Sequence, residues 1–193
     1  FVTIRYNIVS NRFYFTYQYK QYEMEFFAND LETALGEVMR VEEIWINELV
    51  TYQNLYGTLE RILCLKKEQG AKILMLLHDF FALCPAVNLI DAQGKYCGVG
   101  SCQICDKCIP DNRSNACTEY GSGTLWRRKF REFLLNCDEI RAFSDDTAKL
   151  FKKAYPDVYN LHVIPHAPHY LPAVKKVRKT TETFNIGLIG VLC

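Results

Sequence analysis

The chain has 193 residues, 49% hydrophobic and 23% charged, which is enough apolar material for one substantial core without a second copy to complete it. A formal net charge of +1 argues against a dedicated nucleic-acid binder, whose phosphate contacts require a clear basic excess. No apolar run reaches the roughly 20 residues that span a bilayer, and Phe1 to Ser10 carries no signal-peptide pattern, so a soluble protein is expected.

Phe1 to Val9 and Phe13 to Phe27 are rich in Tyr, Phe, Val and Ile with rough alternation, and Ser10-Asn11-Arg12 between them supplies turn residues. The pattern predicts a β-hairpin packed on a sheet edge; a ligand surface is the other reading of its aromatic stripe. Asn29-Asp30 before Leu31, Ala34, Leu35 and Val38 signals an N-cap and a helix over about 30 to 42. Ile44-Trp45-Ile46 reads as a short strand ending at Asn47-Glu48. A helical stripe from Tyr52 to Lys67 follows, closed by Gly70, and Cys64 in its apolar setting is expected to be buried.

Ile73 to Leu77 is an unbroken apolar run, as expected for a central parallel strand buried on both faces. It stops at His78-Asp79. Ligands of open α/β sheets sit beyond the carboxyl ends of the strands, which makes His78 the candidate catalytic residue. Asp79 would hold the histidine tautomer or cap the following turn. Asn47 and Glu48 reach the same edge from the neighbouring strand, either to meet a substrate or to hydrogen-bond the loop.

Nine cysteines are many for this length, and five of them crowd between Cys97 and Cys117. Such crowding favours a metal or reactive site in a reducing compartment over a secreted disulfide scaffold. The stretch from Cys84 to about residue 122 shows no apolar periodicity long enough for a helix and is expected as a long loop. Cys105-x-x-Cys108 with Cys97 and either Cys84 or Cys102 offers four soft ligands, for which tetrahedral structural zinc is the commonest partner. Free thiols or disulfides stay open, as does an iron–sulfur cluster, since Cys97-x4-Cys102-x2-Cys105 has a ferredoxin-like spacing. His162, His166 and His169 could add ligands, but their spacing after a strand fits a loop better.

Leu125, Trp126, Phe130, Phe133 and Leu134 predict a helix near 125–135 whose other face carries Arg127, Arg128, Lys129 and Arg131. That face is either simply solvated or rests on an anionic membrane surface or a lipid phosphate. Cys137 is expected to be buried. Ile140 to Phe143 is the next strand, Ser144-Asp145-Asp146 an N-cap, 145 to 154 a helix ending before Pro156, and Leu161 to Ile164 a further strand. Residues 171 to 183 are basic and aperiodic like a linker, and Asn185 to Val191 reads as a strand entering a glycine turn. The alternation of strand and helix is the rhythm of a parallel sheet with right-handed crossovers.

His78-Asp79-Phe80, Cys84-Pro85, Asn88-Leu89-Ile90-Asp91, Gly94-Lys95-Tyr96-Cys97-Gly98 and Cys105-x-x-Cys108, in that order, resemble a pattern carried by a bacterial branch of the GT-B glycosyltransferases, similar to glycosyltransferase family 4. The resemblance covers about residues 40 to 193 and the first forty only loosely; the opening strand and Gly-rich loop usual in that family are not evident. It implies an α/β fold whose residues 1–170 form the Rossmann-like, acceptor-side N-terminal half of a GT-B enzyme, with an N-terminal β-hairpin and a Cys-rich loop at 84–122. Residues 171–183 would be the interdomain linker, and 184–193 the first strand of the donor-binding domain.

The implied activity is transfer of a sugar, with retention of configuration, from a nucleotide-sugar donor to a saccharide or lipid-linked acceptor in bacterial surface-polysaccharide synthesis. The enzyme would be cytoplasmic or peripheral at the inner face of the cell membrane. In that family the histidine after this strand points across the interdomain cleft toward the donor sugar, and Asp79, Asn47 and Glu48 would be substrate-side residues. Because the donor is bound mainly by the C-terminal domain, these 193 residues alone are expected to be inactive. The rival reading is a non-enzymatic, zinc-stabilised interaction module whose cysteine loop docks a partner. The two part on whether about another 150 residues of domain follow Cys193.

Overall fold

Alternation of period two builds the first element. In the computed structural model, which describes residues 2–7, 9–30, 33, 40–50, 52, 54–115 and 121–166, the expected hairpin has a third strand. β1 (Val2–Asn7), β2 (Arg12–Tyr19) and β3 (Tyr22–Ala28) form an antiparallel sheet in the order β1-β2-β3. Phe13 to Phe27 is cut in two because Lys20 turns with φ 53, a left-handed conformation that ends β2. Tyr6, Phe13, Phe15 and Ala28 bury one small cluster, onto which Tyr52 packs while its hydroxyl donates to the Ile4 carbonyl at 3.1 Å.

The second sheet is parallel, with order β4 (Glu43–Ile46), β5 (Lys72–Leu77), β6 (Glu139–Ala142), β7 (Leu161–Val163). Its crossovers carry α1 (Leu55–Gln69), then α2 (Cys102–Cys108) and α3 (Gly123–Leu135), then α4 (Asp145–Ala154). Asn54, Ser101, Ser122 and Ser144 each accept a backbone N–H of the first turn of their helix, so every one of these helices starts on a side-chain cap. Gly70 closes α1 with φ 70. None of the described helices is long and apolar enough to cross a membrane.

Ile46, Ile73, Met75, Leu77, Ile140, Ala142 and Leu161 share one core with Leu55, Leu59 and Ile62 of α1, Trp126, Phe130, Phe133 and Leu134 of α3, and Ala148 and Phe151 of α4. The strand members are those that meet in register on one face, so these helices cover that face. The opposite face carries Trp45, Leu74, Leu76, Glu139, Arg141 and His162, with Trp45 exposed and the Arg141 guanidinium 5.5 Å from its ring. The expectation that β5 is buried on both faces is thus corrected: Leu74 is covered, Leu76 only partly, and their neighbours on that face are polar.

Two further expectations change. The cysteine stretch is not loop throughout, because Ser101 caps the seven-residue α2, which runs into a 3-10 turn at Ile109–Asp111. Cys64 is exposed, since it falls off the buried Leu55, Thr58, Leu59, Ile62, Leu65 stripe of α1. Cys137 is buried as expected. Apart from Thr33, whose N–H donates to Asp30 at 2.7 Å, the helix expected over 30 to 42 lies largely outside the described residues. So do the linker at 171–183, the strand at 184–193, His169 and Cys117.

Asp138 joins β5 to β6. Its carboxylate accepts the Ile73 N–H at 2.7 Å and Lys66 Nζ at 2.5 Å. Burial opposes its ionisation, but Lys66, the Ile73 N–H and Lys72 outweigh that and hold the carboxyl below its usual range. A depressed carboxyl stabilises the fold above its unfolded pKa of about 4, and loses that contribution as pH falls through the lower folded value. Asp138→Asn should therefore lower stability at pH 7 by about 1 kcal/mol, the group being largely exposed, with the gap to wild type closing as pH falls below the ordinary carboxylate range. Thermal unfolding at neutral and at acid pH checks this.

Candidate functional site

Parallel strands end together, so residues just past β5, β6 and β7 arrive side by side on one rim. His78 follows Leu77 of β5, Phe143 follows Ala142 of β6, and His166 lies just past β7. Their rings meet in one cluster, with both imidazoles against Phe143. His78 stacks on Phe143 with centroids 4.6 Å apart and planes at 24°, and His166 stacks on Phe143 at 3.9 Å and 9°. The two imidazoles are 5.8 Å apart at 17°. His78 is exposed, and among the described residues no hydrogen bond occupies its ring nitrogens. Stacking holds the ring plane while the residue stays exposed, which suits a group that must donate or accept at a ligand.

The other expected rim residues do not join His78. Asp79 accepts the Phe81 N–H at 2.8 Å, which caps the turn after β5. Burial raises its pKa, while the Phe81 N–H and the charge of His78 work the other way. Asn47 and Glu48 are exposed just past β4, on the side of β5 away from Phe143. Glu48 lies close enough to Tyr52 that, after burial, its charge helps push that phenol to about 12. From sequence, Phe143 entered only as the last residue of a strand and His166 only as a possible added metal ligand, and neither was placed beside His78. The signal was there: each lies within three residues of a predicted strand's carboxyl end, as His78 does.

The stretch after the rim is built from turn chemistry. Asp91 accepts the N–H groups of Gln93 and Lys95 at 2.9 and 2.8 Å, Gly94 takes φ 77, and Ile90 bridges Tyr96. Cys97 is carried back to Leu89, donating its N–H to that carbonyl at 2.9 Å and its thiol at 3.2 Å. Two buried side chains then tie the stretch together. Arg127 of α3 donates to the carbonyls of Leu83 (3.3 Å) and Gly100 (2.7 Å) and to Cys105 Sγ (3.4 Å). Asn112 donates to the Ile90 carbonyl at 2.7 Å and contacts Cys108 Sγ at 3.6 Å. Asp106 accepts from Ser122 and Thr124, and a Cβ on Gly123 would stand 2.5 Å from that of Cys105, so α2 is pressed onto the start of α3.

Cys84 is buried, and burial, followed by the proximity of Cys105, Cys97 and Cys108, pushes its thiol to about 11. Cys97 and Cys105 are likewise raised, first by burial. Cys102 is displaced from this group: it lines a cleft of about 620 Å³ with Ser101, Arg128, Arg131 and Lys153.

Comparison with family models, with curated proteins and with solved structures finds no match.

The basic face of α3 is largely engaged. Arg127 is buried, Lys129 pairs with Glu60 at 2.9 Å, and Arg131 pairs with Asp157. Arg128 and, from α4, Lys153 stand exposed at the edge of the cleft.

Proposed function

We propose that this chain is the Rossmann-like, acceptor-side half of a GT-B glycosyltransferase similar to family 4, acting in bacterial surface-polysaccharide synthesis. The observation that supports it most is the exposed His78, stacked on Phe143 on the rim where parallel strands end. In this reading His78 donates to a hydroxyl of the donor sugar or to the departing diphosphate of a nucleotide sugar. The sugar leaves as an oxocarbenium-like species, so little covalent help is needed, and positioning with electrostatic stabilisation carries most of the barrier reduction. Asp79 shapes the turn that presents the imidazole. Asn47 and Glu48 border the same rim on the acceptor side.

The acceptor is a saccharide or a lipid-linked saccharide, reached from the cytoplasm at the inner face of the membrane. Arg128 and Lys153, exposed at the edge of the cleft, are placed to meet an anionic headgroup or lipid phosphate, while Arg127, Lys129 and Arg131 of α3 are engaged within the protein.

The test uses the full-length enzyme with a panel of nucleotide sugars. His78→Ala should lower turnover about 100-fold with the unfolding midpoint nearly unchanged. Unaltered turnover would remove His78 from the chemistry, and a large loss of stability would make it a structural residue.

A further inference from the structure

Arg127 poses a problem of charge. Its side chain is buried, at 9% exposure, yet among the described residues no carboxylate lies within ion-pair distance of it; its donors go to two carbonyls and one sulfur. A buried cation without a counter-charge is expensive, and neutral carbonyls offset only part of the lost hydration. The acceptor that could carry negative charge is the Cys105 sulfur.

The same region holds three more thiols on separate turns. Cys84 follows the Leu83 carbonyl that Arg127 holds. Cys97 sits on the bridge between Ile90 and Tyr96, and Cys108 lies one turn of α2 beyond Cys105. Asn112, itself buried, ties the Ile90 carbonyl to Cys108. Each of these two polar side chains thus points an N–H at one sulfur, Cys105 or Cys108, and also holds a carbonyl on the stretch that carries Cys84 or leads to Cys97. N–H groups aimed at sulfur favour thiolate over thiol, as the outer partners of metal-bound cysteine do.

We propose that Cys84, Cys97, Cys105 and Cys108 bind one structural zinc ion as a tetrathiolate site, with Arg127 and Asn112 as its outer hydrogen-bond donors. Four thiols release four protons to solvent, four Zn–S bonds form, and the site carries a net charge of −2, which Arg127 partly balances. As protonated thiols the sulfurs do not converge on one point; among the described residues no three His, Cys, Asp or Glu side chains make a ready coordination sphere. That follows from the chemistry, because a thiol such as Cys97 satisfies itself on the Leu89 carbonyl and has no reason to approach three others until a metal takes its proton. Four ligands leave no open position, so the ion would pin the stretch after His78 rather than take part in a reaction. Cys102 is outside the set, since it faces the cleft beside Lys153 and Tyr155.

The experiment is metal analysis of the full-length protein purified without added metal, alongside single Cys→Ser variants. About one zinc per chain is expected, lost in C84S, C97S, C105S and C108S and kept in C102S and C64S. Should the four variants fail to fold, the wild type still decides: mercurial titration should release zinc in step with four thiols, and cobalt exchange should give the absorption of a tetrahedral tetrathiolate. A metal-free protein with freely reacting thiols would overturn the proposal. So would iron with acid-labile sulfide, or loss of zinc in C102S with retention in C84S.

Discussion

Trp126→Ala is expected to lower unfolding free energy by about 3–5 kcal/mol, the range for deleting a large buried aromatic ring. The indole is fully buried, stands edge-on to Phe81 with centroids 4.9 Å apart, lies 5.2 Å from Phe130 and meets Tyr56 at 6.2 Å. Its Nε1–H donates to the Phe81 carbonyl at 2.8 Å, so the residue both fills the core under α1 and holds the turn that follows His78. Trp126→Phe separates the two effects. It keeps most of the packing but leaves the Phe81 carbonyl unpaired, and should cost about 1–3 kcal/mol. Denaturant unfolding of the full-length protein measures both. A loss under about 1 kcal/mol for Trp126→Ala would mean that the ring is not in the core described here.

Arg127→Ala should cost about 3 kcal/mol, because a buried and a half-buried carbonyl lose a charged donor together. Leu83, Gly100 and Cys105 are otherwise on separate stretches, and Arg127 is the side chain that holds all three. Arg127→Lys should recover little, since an ammonium is a single point and cannot span three acceptors with a planar fork. The distinguishing measurement is thiol reactivity. Cys84, buried behind the turn that Arg127 holds, should react slowly in wild type and much faster in either variant. Equal rates would show that the stretch holds its shape without the arginine.

Much of the fold was legible because the signals are local. Ser144 before an amphipathic run, Gly70 after one, and the apolar run at Ile73 each specify an element through its own hydrogen bonds and side-chain period. The site was legible only in part. His78 could be placed at a strand end from sequence, and it is there. Its ring partners could not be named, because Phe143 and His166 lie 65 and more positions away along the chain and meet it only through the parallel register of β5, β6 and β7. Periodicity also misled at α2, a helix too short to show a stripe, which Ser101 and the packing of Gly123 against Cys105 hold in place.

By itself, then, the order of residues determined most of the strands and helices of the parallel sheet, that this sheet is parallel, and that a histidine and a set of sulfurs lie beyond a strand's end. Only the tertiary structure decided which face of the sheet the helices cover, which rings stand beside His78, that Asp79 caps its own turn, and that Arg127 is a buried tie instead of a surface charge. The division has a physical cause. Caps, turns and apolar period are properties of neighbours within a few residues, whereas burial and ring stacking depend on strand register and helix contact between residues far apart in sequence.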